Sequence, residues 1–254
     1  MIFISISTFA QQVTKEKFDK WMREANQGNA VAQYNIGVCY YNGDYVAKDR
    51  KKAIDWYEKA AKQGDAEAQC NLGLCYYELQ NYTKAVEWYQ KAANQGNSAA
   101  QFNLGNCYYD GRGVLQNYTK AVEWYQKAAN QGIADAQFNL GNCYYDGIGV
   151  LQNYTKAVEW YQKAANQGVA DAQYNLGSCY NNGIGVLQND TKAVEWFQKA
   201  ANQGNAIAQY TLGQCYYYGQ GVTRNYHKAI EWYKKSASLG YEKAISELKE
   251  LGFQ

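Results

Sequence analysis

The stretch NLGNCYYDGRGVLQNYTKAVEWYQKAANQG (Asn103–Gly132) returns almost letter for letter at Asn139–Gly168. The full units around it, Asn97–Gly132 and Ile133–Gly168, differ at four of 36 positions. A period of this length makes each unit one supersecondary element that buries its apolar face against its neighbours, the sequence mark of a solenoid. Tryptophan carries the register outward at Trp56, Trp88, Trp124, Trp160, Trp196 and Trp232, with intervals of 32, 36, 36, 36 and 36. Cys39, Cys75, Cys107, Cys143, Cys179 and Cys215 keep the same step. Six units result: 29–64, 65–96, 97–132, 133–168, 169–204 and 205–240. A partial unit at 14–28, with its own Trp21, precedes them, and another at 241–254 follows. The second unit is four residues short: YYELQNYTKA stands where the third has YYDGRGVLQNYTKA, so the loss falls in the Gly-x-Gly-Val turn.

Each unit reads as two helices. Ala100, Leu104, Cys107 and Tyr108 fall at i, i+4, i+7 and i+8, and Ala121, Trp124, Tyr125 and Ala128 at i, i+3, i+4 and i+7; both are apolar stripes of helical period. Asn81, Asn117, Asn153, Asn189, Asn225 and Asp49 are placed to cap the second helices. Gly111 and Gly113 supply the left-handed turn between helices, and Gly132 follows the second one. The chain has no proline to kink a helix, and no strand alternation is long enough to count. Trp and Ala, by their spacing, are assigned to the core. Phe18, Trp21, Met22 and Ala25 make a stripe that covers the first unit, and Ala244, Ile245, Leu248 and Leu251 make one for the last. Solenoids need such polar-backed end helices to stay soluble.

Composition narrows the function. The net charge is +2 with acids and bases interspersed, so no basic block points to nucleic acid or a membrane surface. No run of 18 apolar residues exists to span a bilayer. Aromatics make up 16% of the chain, including 26 Tyr, because the same positions are copied six times. Six of the seven cysteines recur once per unit at the inner edge of the first helix. Equivalent helices pack about 8–10 Å apart or more, beyond the roughly 7 Å Cα separation a disulfide tolerates, and neither a CxxC pair nor a Cys/His cluster is present to hold a metal. The thiols read as small core residues. His227 occupies a helix-start position held by Thr elsewhere and reads as exposed. Glu87, Glu123, Glu159 and Glu195 recur beside each Trp, a structural pattern rather than the differentiated pair that acid–base catalysis needs. The Gly-x-Gly turns lack the strand and the Lys-Ser/Thr of a phosphate loop. No cofactor and no catalytic set is expected.

The pattern A-x-A-Q-x-x-L-G-x-C-Y-x-x-G-x-G-V, then N-x-x-K-A-x-x-W-x-x-K-A-A-x-Q-G, resembles the Sel-one-like repeat family, a relative of the tetratricopeptide repeat, across Asn29–Gly240. The related tetratricopeptide core L-G-x-x-Y stands at Leu104, Gly105 and Tyr108, with Gln101 where that family has Trp. The resemblance implies an all-α fold: a right-handed α/α superhelix of six helix-turn-helix repeats with capping helices, the first helices lining its concave face. It also implies an adaptor that assembles complexes or binds peptides. A cysteine-rich branch has two Cys per repeat in disulfides, and some members are linked to β-lactam binding. With one Cys per repeat, this chain does not inherit those disulfides.

Off the apolar stripe, Asn103, Asn106 and Asp110 share a helical face, with Phe102 and Tyr109 beside them. Stacked, these become ladders: Asn35, Asn71, Asn103, Asn139 and Asn175; Asn106 and Asn142; Tyr41, Tyr77, Tyr109, Tyr145 and Tyr217; Asp110 and Asp146. A row of amides offers donor and acceptor to an extended backbone without selecting its sequence, and Tyr adds contact area at small entropic cost. These residues are the candidate peptide-binding set. The competing assignment has Asn tying helices to neighbouring turns, and Phe102 and its equivalents filling gaps between repeats, since long rows of exposed Phe are costly. The expected function is a protein-interaction scaffold. The alternative is a passive spacer in an envelope or multiprotein assembly, and a hydrolase or β-lactam-binding activity ranks third. The expected partner is a protein or peptide, not nucleic acid, and open-ended stacks can also associate end to end.

Residues 1–12, MIFISISTFAQQ, resemble the tail of a secretory signal with a small residue before the cleavage point, though without a basic start. They favour export to the periplasm or beyond. The unpaired thiols favour the cytoplasm, and an arm packed on the N-terminal cap is the other reading of the segment. Asn-x-Thr at Asn81, Asn117, Asn153 and Asn189 is explained by helix capping.

Overall fold

A computed structural model describes residues 13–253; the 1–12 segment lies outside them. The described residues form fourteen helices and no strand. The chain divides into two units, Met1–Ile133 and Ala134–Gln254. The first holds α1 (Lys15–Asn26), α2 (Ala30–Asn42), α3 (Arg50–Lys62), α4 (Ala66–Glu78), α5 (Tyr82–Asn94), α6 (Ser98–Asp110) and α7 (Tyr118–Asn130). The second holds α8 (Ala134–Asp146), α9 (Tyr154–Asn166), α10 (Ala170–Asn182), α11 (Asp190–Asn202), α12 (Ala206–Tyr218), α13 (Tyr226–Ser238) and α14 (Glu242–Glu250). Within each unit the even-numbered helix of a hairpin packs on its odd-numbered partner, which packs on the next even-numbered helix. This is helix-pair stacking, the solenoid that the repeat implies.

The expected caps are made. Asn81, Asn117, Asn153, Asn189, Asn225 and Asp49 each accept, through the side chain, from the backbone N–H three residues on. Gly111 and Gly113 have φ of +70° and +73°. At Gly113 a Cβ would lie 2.3 Å from the Tyr82 carbonyl oxygen, so the turn rests on the start of the preceding repeat's second helix. In the short unit, Leu79–Asn81 alone join α4 to α5.

The core differs from the expectation in one respect. The aromatic sealed inside each hairpin is the residue after Trp: Tyr57, Tyr89, Tyr125, Tyr161, Phe197 and Tyr233, all at 2% exposure or less. Each ring lies on a helical glycine of its partner helix, where a Cβ would fall 2.6–2.7 Å from the ring carbons: Gly37, Gly73, Gly105, Gly141, Gly177 and Gly213. The indoles are half-buried apart from Trp160, which is buried. Lys59, Lys91, Lys127, Lys163, Lys199 and Lys235 cover them, Nζ 3.8–4.0 Å from the ring centroid. The extra bulk of indole has no glycine opposite it, so it sits at the margin and is screened by a lysine stem.

The Gln of A-x-A-Q has a role that pattern reading does not assign. Gln173 is 5% exposed. Its Nε2 donates to the Ala165 carbonyl at the end of the previous repeat's second helix, 3.1 Å. Its Oε1 accepts from Gln203 Nε2 at 2.8 Å. Gln33, Gln69 and Gln101 repeat both bonds. One buried amide thus satisfies an orphan helix carbonyl and locks two repeats together.

All seven thiols are free and buried. Phe18 and Ala25 of α1 and Ala244 and Leu248 of α14 are buried, whereas Ile245 is 40% exposed.

Candidate functional site

The ladder residues divide by burial. Asn71, Asn103, Asn106 and Tyr77 in the first unit are buried, Asn103 completely. Asn35, Asn139, Asn142 and Asn175 are half-buried, as are Tyr41, Tyr109, Tyr145 and Tyr217, and Asp110 and Asp146 are exposed. Phe102 is buried, its ring centroid 6.0 Å from that of Tyr125.

Two of the amides hold the core tyrosines. Tyr125 Oη donates to Asn106 Oδ1 at 2.7 Å, and Tyr161 Oη donates to Asn142 Oδ1 at 2.7 Å. In the fifth repeat the aromatic is Phe197, which has no hydroxyl, and the register position of Asn142 is Ser178. Asn106 and Asn142 thus satisfy buried hydroxyls, whereas the same register in the first two repeats holds Val38 and Leu74 although Tyr57 and Tyr89 keep theirs. Asn175 Nδ2 also donates to Asn142 Oδ1, at 3.3 Å. The triad Tyr161–Asn142–Asn175 leaves Asn142 Nδ2 and Asn175 Oδ1 out of its bonds. Burial is the main cause that raises the Tyr161 hydroxyl well above its usual range.

Four of the candidate residues come together in the second unit. Asn142, Tyr145, Asp146 and Asn175 join Tyr161, Ser178 and Cys179 around an open pocket of about 330 Å³ between α8 and α10. Ser178 and Tyr161 were not singled out by pattern reading. Ser178 carries a signal in the sequence, since it departs from Asn106 and Asn142 at its register and shortens that wall of the pocket.

The acids that end the first helices have different neighbours. Glu78, ending α4, accepts from Tyr41 Oη at 2.7 Å and pairs with Arg50 at 3.3 Å. Asp110, ending α6, pairs with Arg112 at 3.7 Å. The Arg112 guanidinium also donates to Tyr77 Oη and lies 5.7 and 5.8 Å from the ring centroids of Tyr77 and Tyr82. Asp146, ending α8, has no ion pair among the described residues, and Ile148 stands at the register of Arg112.

Burial pushes the Cys39, Cys179 and Cys215 thiols up to about 11, and Cys70, Cys75, Cys107 and Cys143 to about 12. Thiols so protonated are poor nucleophiles. His227 is exposed, Nδ1 3.6 Å from Glu231, and Glu87, Glu123, Glu159 and Glu195 face solvent. No group of His, Cys, Asp or Glu suited to a metal ion occurs among the described residues, nor is any helix there long and apolar enough to cross a membrane.

Stacked helix hairpins, with polar side chains on the first-helix face, define an α-solenoid repeat protein. The Sel1 repeat profile matches residues 30–65, 66–97, 98–133, 134–169, 170–205 and 206–241, and the chain belongs to the Sel1 repeat family. Proteins of this repeat class are in general protein-interaction scaffolds and typically non-catalytic. No curated protein matches the chain. Among solved structures, c5321, a protective antigen of uropathogenic Escherichia coli with an SLR fold, is 37% identical with a TM-score of 0.87, covering 92% of this chain and 52% of its own. This chain therefore spans about half the length of that protein. A Sel1 repeat protein from Oxalobacter formigenes is also 37% identical, with a TM-score of 0.78, covering 96% of this chain and 72% of its own.

Proposed function

We propose that this chain is a scaffold that captures an extended peptide or partner segment against the first helices of its repeats. The observation that carries this reading is the pocket between α8 and α10. Four candidate residues, Asn142, Tyr145, Asp146 and Asn175, meet there around an open volume of about 330 Å³, at the small end of the roughly 300–1,000 Å³ typical of ligand sites. That is room for a side chain and its backbone rather than a large ligand. Tyr161 and Asn175 hold Asn142 rigidly, so one amide edge is pre-organised at little further entropic cost on binding. The buried Asn71, Asn103 and Asn106 serve packing, and the capture set is the half-buried and exposed remainder.

Selection of a displayed random-peptide library on the immobilised full chain tests the reading. Peptides should be enriched, and Ser178→Trp, which fills the pocket, should abolish their capture with helical content unchanged. A chain that enriches no peptide is a spacer. The apolar residues 1–12 support export over a cytoplasmic location; N-terminal sequencing of the protein from its native cell checks this.

A further inference from the structure

We infer that the pocket between α8 and α10 selects a side-chain carboxamide, that of asparagine or glutamine, from the partner. The inference rests on the peptide-capture reading and names the group that the pocket reads.

The hydrogen bonds inside the pocket decide what it still offers. Asn142 Oδ1 accepts from Tyr161 Oη at 2.7 Å and from Asn175 Nδ2 at 3.3 Å. A carbonyl oxygen has two lone pairs, and both are taken. Asn142 is left to donate through Nδ2, while Asn175 keeps Oδ1 as an acceptor. Turning both amides over exchanges these roles and changes nothing else, because a bond between two amides uses one donor and one acceptor and leaves one of each. Both residues line the same pocket, so the donor and the acceptor are presented together.

Few groups match that pair. A carboxylate only accepts; it leaves Asn175 Oδ1 without a donor and meets Asp146, which also lines the pocket. An ammonium or guanidinium only donates and leaves Asn142 Nδ2 without an acceptor. A trans peptide group points its N–H and C=O in opposite directions, so it reaches one of the two. A primary carboxamide carries C=O and N–H on one edge, answers both, and has a second N–H for Asp146.

The chain makes this kind of contact itself one boundary further on. There Gln220 Nε2 donates to Asn181 Oδ1 at 3.0 Å. Asn181 stands at the register of Tyr145, and Gln220 at that of Ile184. Beside α8 and α10 the turn therefore brings an apolar side chain where the next turn brings a carboxamide. Ser178, smaller than Asn106 and Asn142 at its register, leaves room for one from outside.

The test is the library selection run on the parent full chain and on Asn142→Asp. On the parent, enriched peptides should share Asn or Gln at one fixed position. Exchanging it for the matching carboxylate, Asp or Glu, or for apolar Leu or Met of similar shape, should weaken binding about tenfold or more. Asn142→Asp keeps the acceptor for Tyr161 and Asn175 and replaces the free donor by an acceptor, so it should erase the carboxamide preference with helical content unchanged. The peptide exchanges need no variant of the protein and decide the matter if Asn142→Asp does not fold. Enriched peptides with no shared Asn or Gln, equal binding of the carboxamide and its replacements, or an undiminished preference on folded Asn142→Asp overturns this inference and leaves peptide capture intact. Enrichment of no peptide overturns both.

Discussion

Gln203 Nε2 lies 2.8 Å from Gln173 Oε1, and the pair belongs to a ladder that fails at one step. Gln209 is the next member, and its Oε1 is buried without a hydrogen-bond partner. The residue that should supply the donor, one period after Gln203, is Leu239, which is 56% exposed. Leu239→Gln should restore the bond and remove an exposed apolar side chain. A hydrogen bond of this kind is worth about 0.5–1.5 kcal/mol. Urea unfolding should shift upward by that amount, with the gain seen as slower amide exchange in α13. An unchanged midpoint would mean that Gln209 is served by solvent.

The glycine under each aromatic sets a second expectation. In a helix, Gly→Ala ordinarily stabilises by about 1 kcal/mol. At Gly177 the new methyl would stand 2.7 Å from Phe197 Cδ1, and such overpacking costs about 1–3 kcal/mol. Gly177→Ala should therefore be neutral to destabilising by about 2 kcal/mol. A double-mutant cycle with Phe197→Leu should show strong coupling; additive effects would refute steric contact as the cause.

The core tyrosines are not equivalent. Tyr161→Phe removes the donor to Asn142 and should cost about 1 kcal/mol. Tyr89 and Tyr233 have buried hydroxyls with no partner, so their replacement by Phe should be neutral or stabilising. Phe197 is the chain's own instance of that exchange. Thermal unfolding of the three variants checks the order.

The thiols make stability depend on alkaline pH. In the unfolded chain a thiol ionises near about 8.5, while in the folded chain burial holds these groups up to about 11 or 12. Above pH 8.5 the folded state binds more protons than the unfolded one, so stability falls as pH rises towards 11–12 and is fully present below 8.5. Chemical denaturation between pH 7 and 10 should show the decline, and a cysteine-free variant that folds should show less of it.

Asp146→Asn should raise stability by about 0.3–1 kcal/mol, because it removes a carboxylate from the negative end of α8. A loss of stability instead would mean that Asp146 has a structural partner.

The architecture was legible in the sequence because helical repeats are specified locally. Caps at Asn117, turn glycines at Gly111 and Gly113 and the apolar spacing each act within a few residues, and six copies make the pattern unmistakable. The four-residue loss in the second repeat was placed correctly because turns absorb deletions that helices cannot. Pattern reading did not separate Trp124 from Tyr125. Both have helical spacing, and only the position of Gly105 on the facing helix decides which ring fits inside.

The candidate site was legible as a ladder and no further. Sequence placed Asn103, Asn142 and Asn175 on corresponding helical faces, since 3.6-residue periodicity orients side chains around their own helix. Tertiary structure decided that Asn103 is sealed inside, that Asn142 is braced by Tyr161 and Asn175, and that the space opens beside Ser178. Burial, hydrogen-bond partners and voids arise between helices brought together by packing, and a register along one chain does not encode the gaps left between its neighbours.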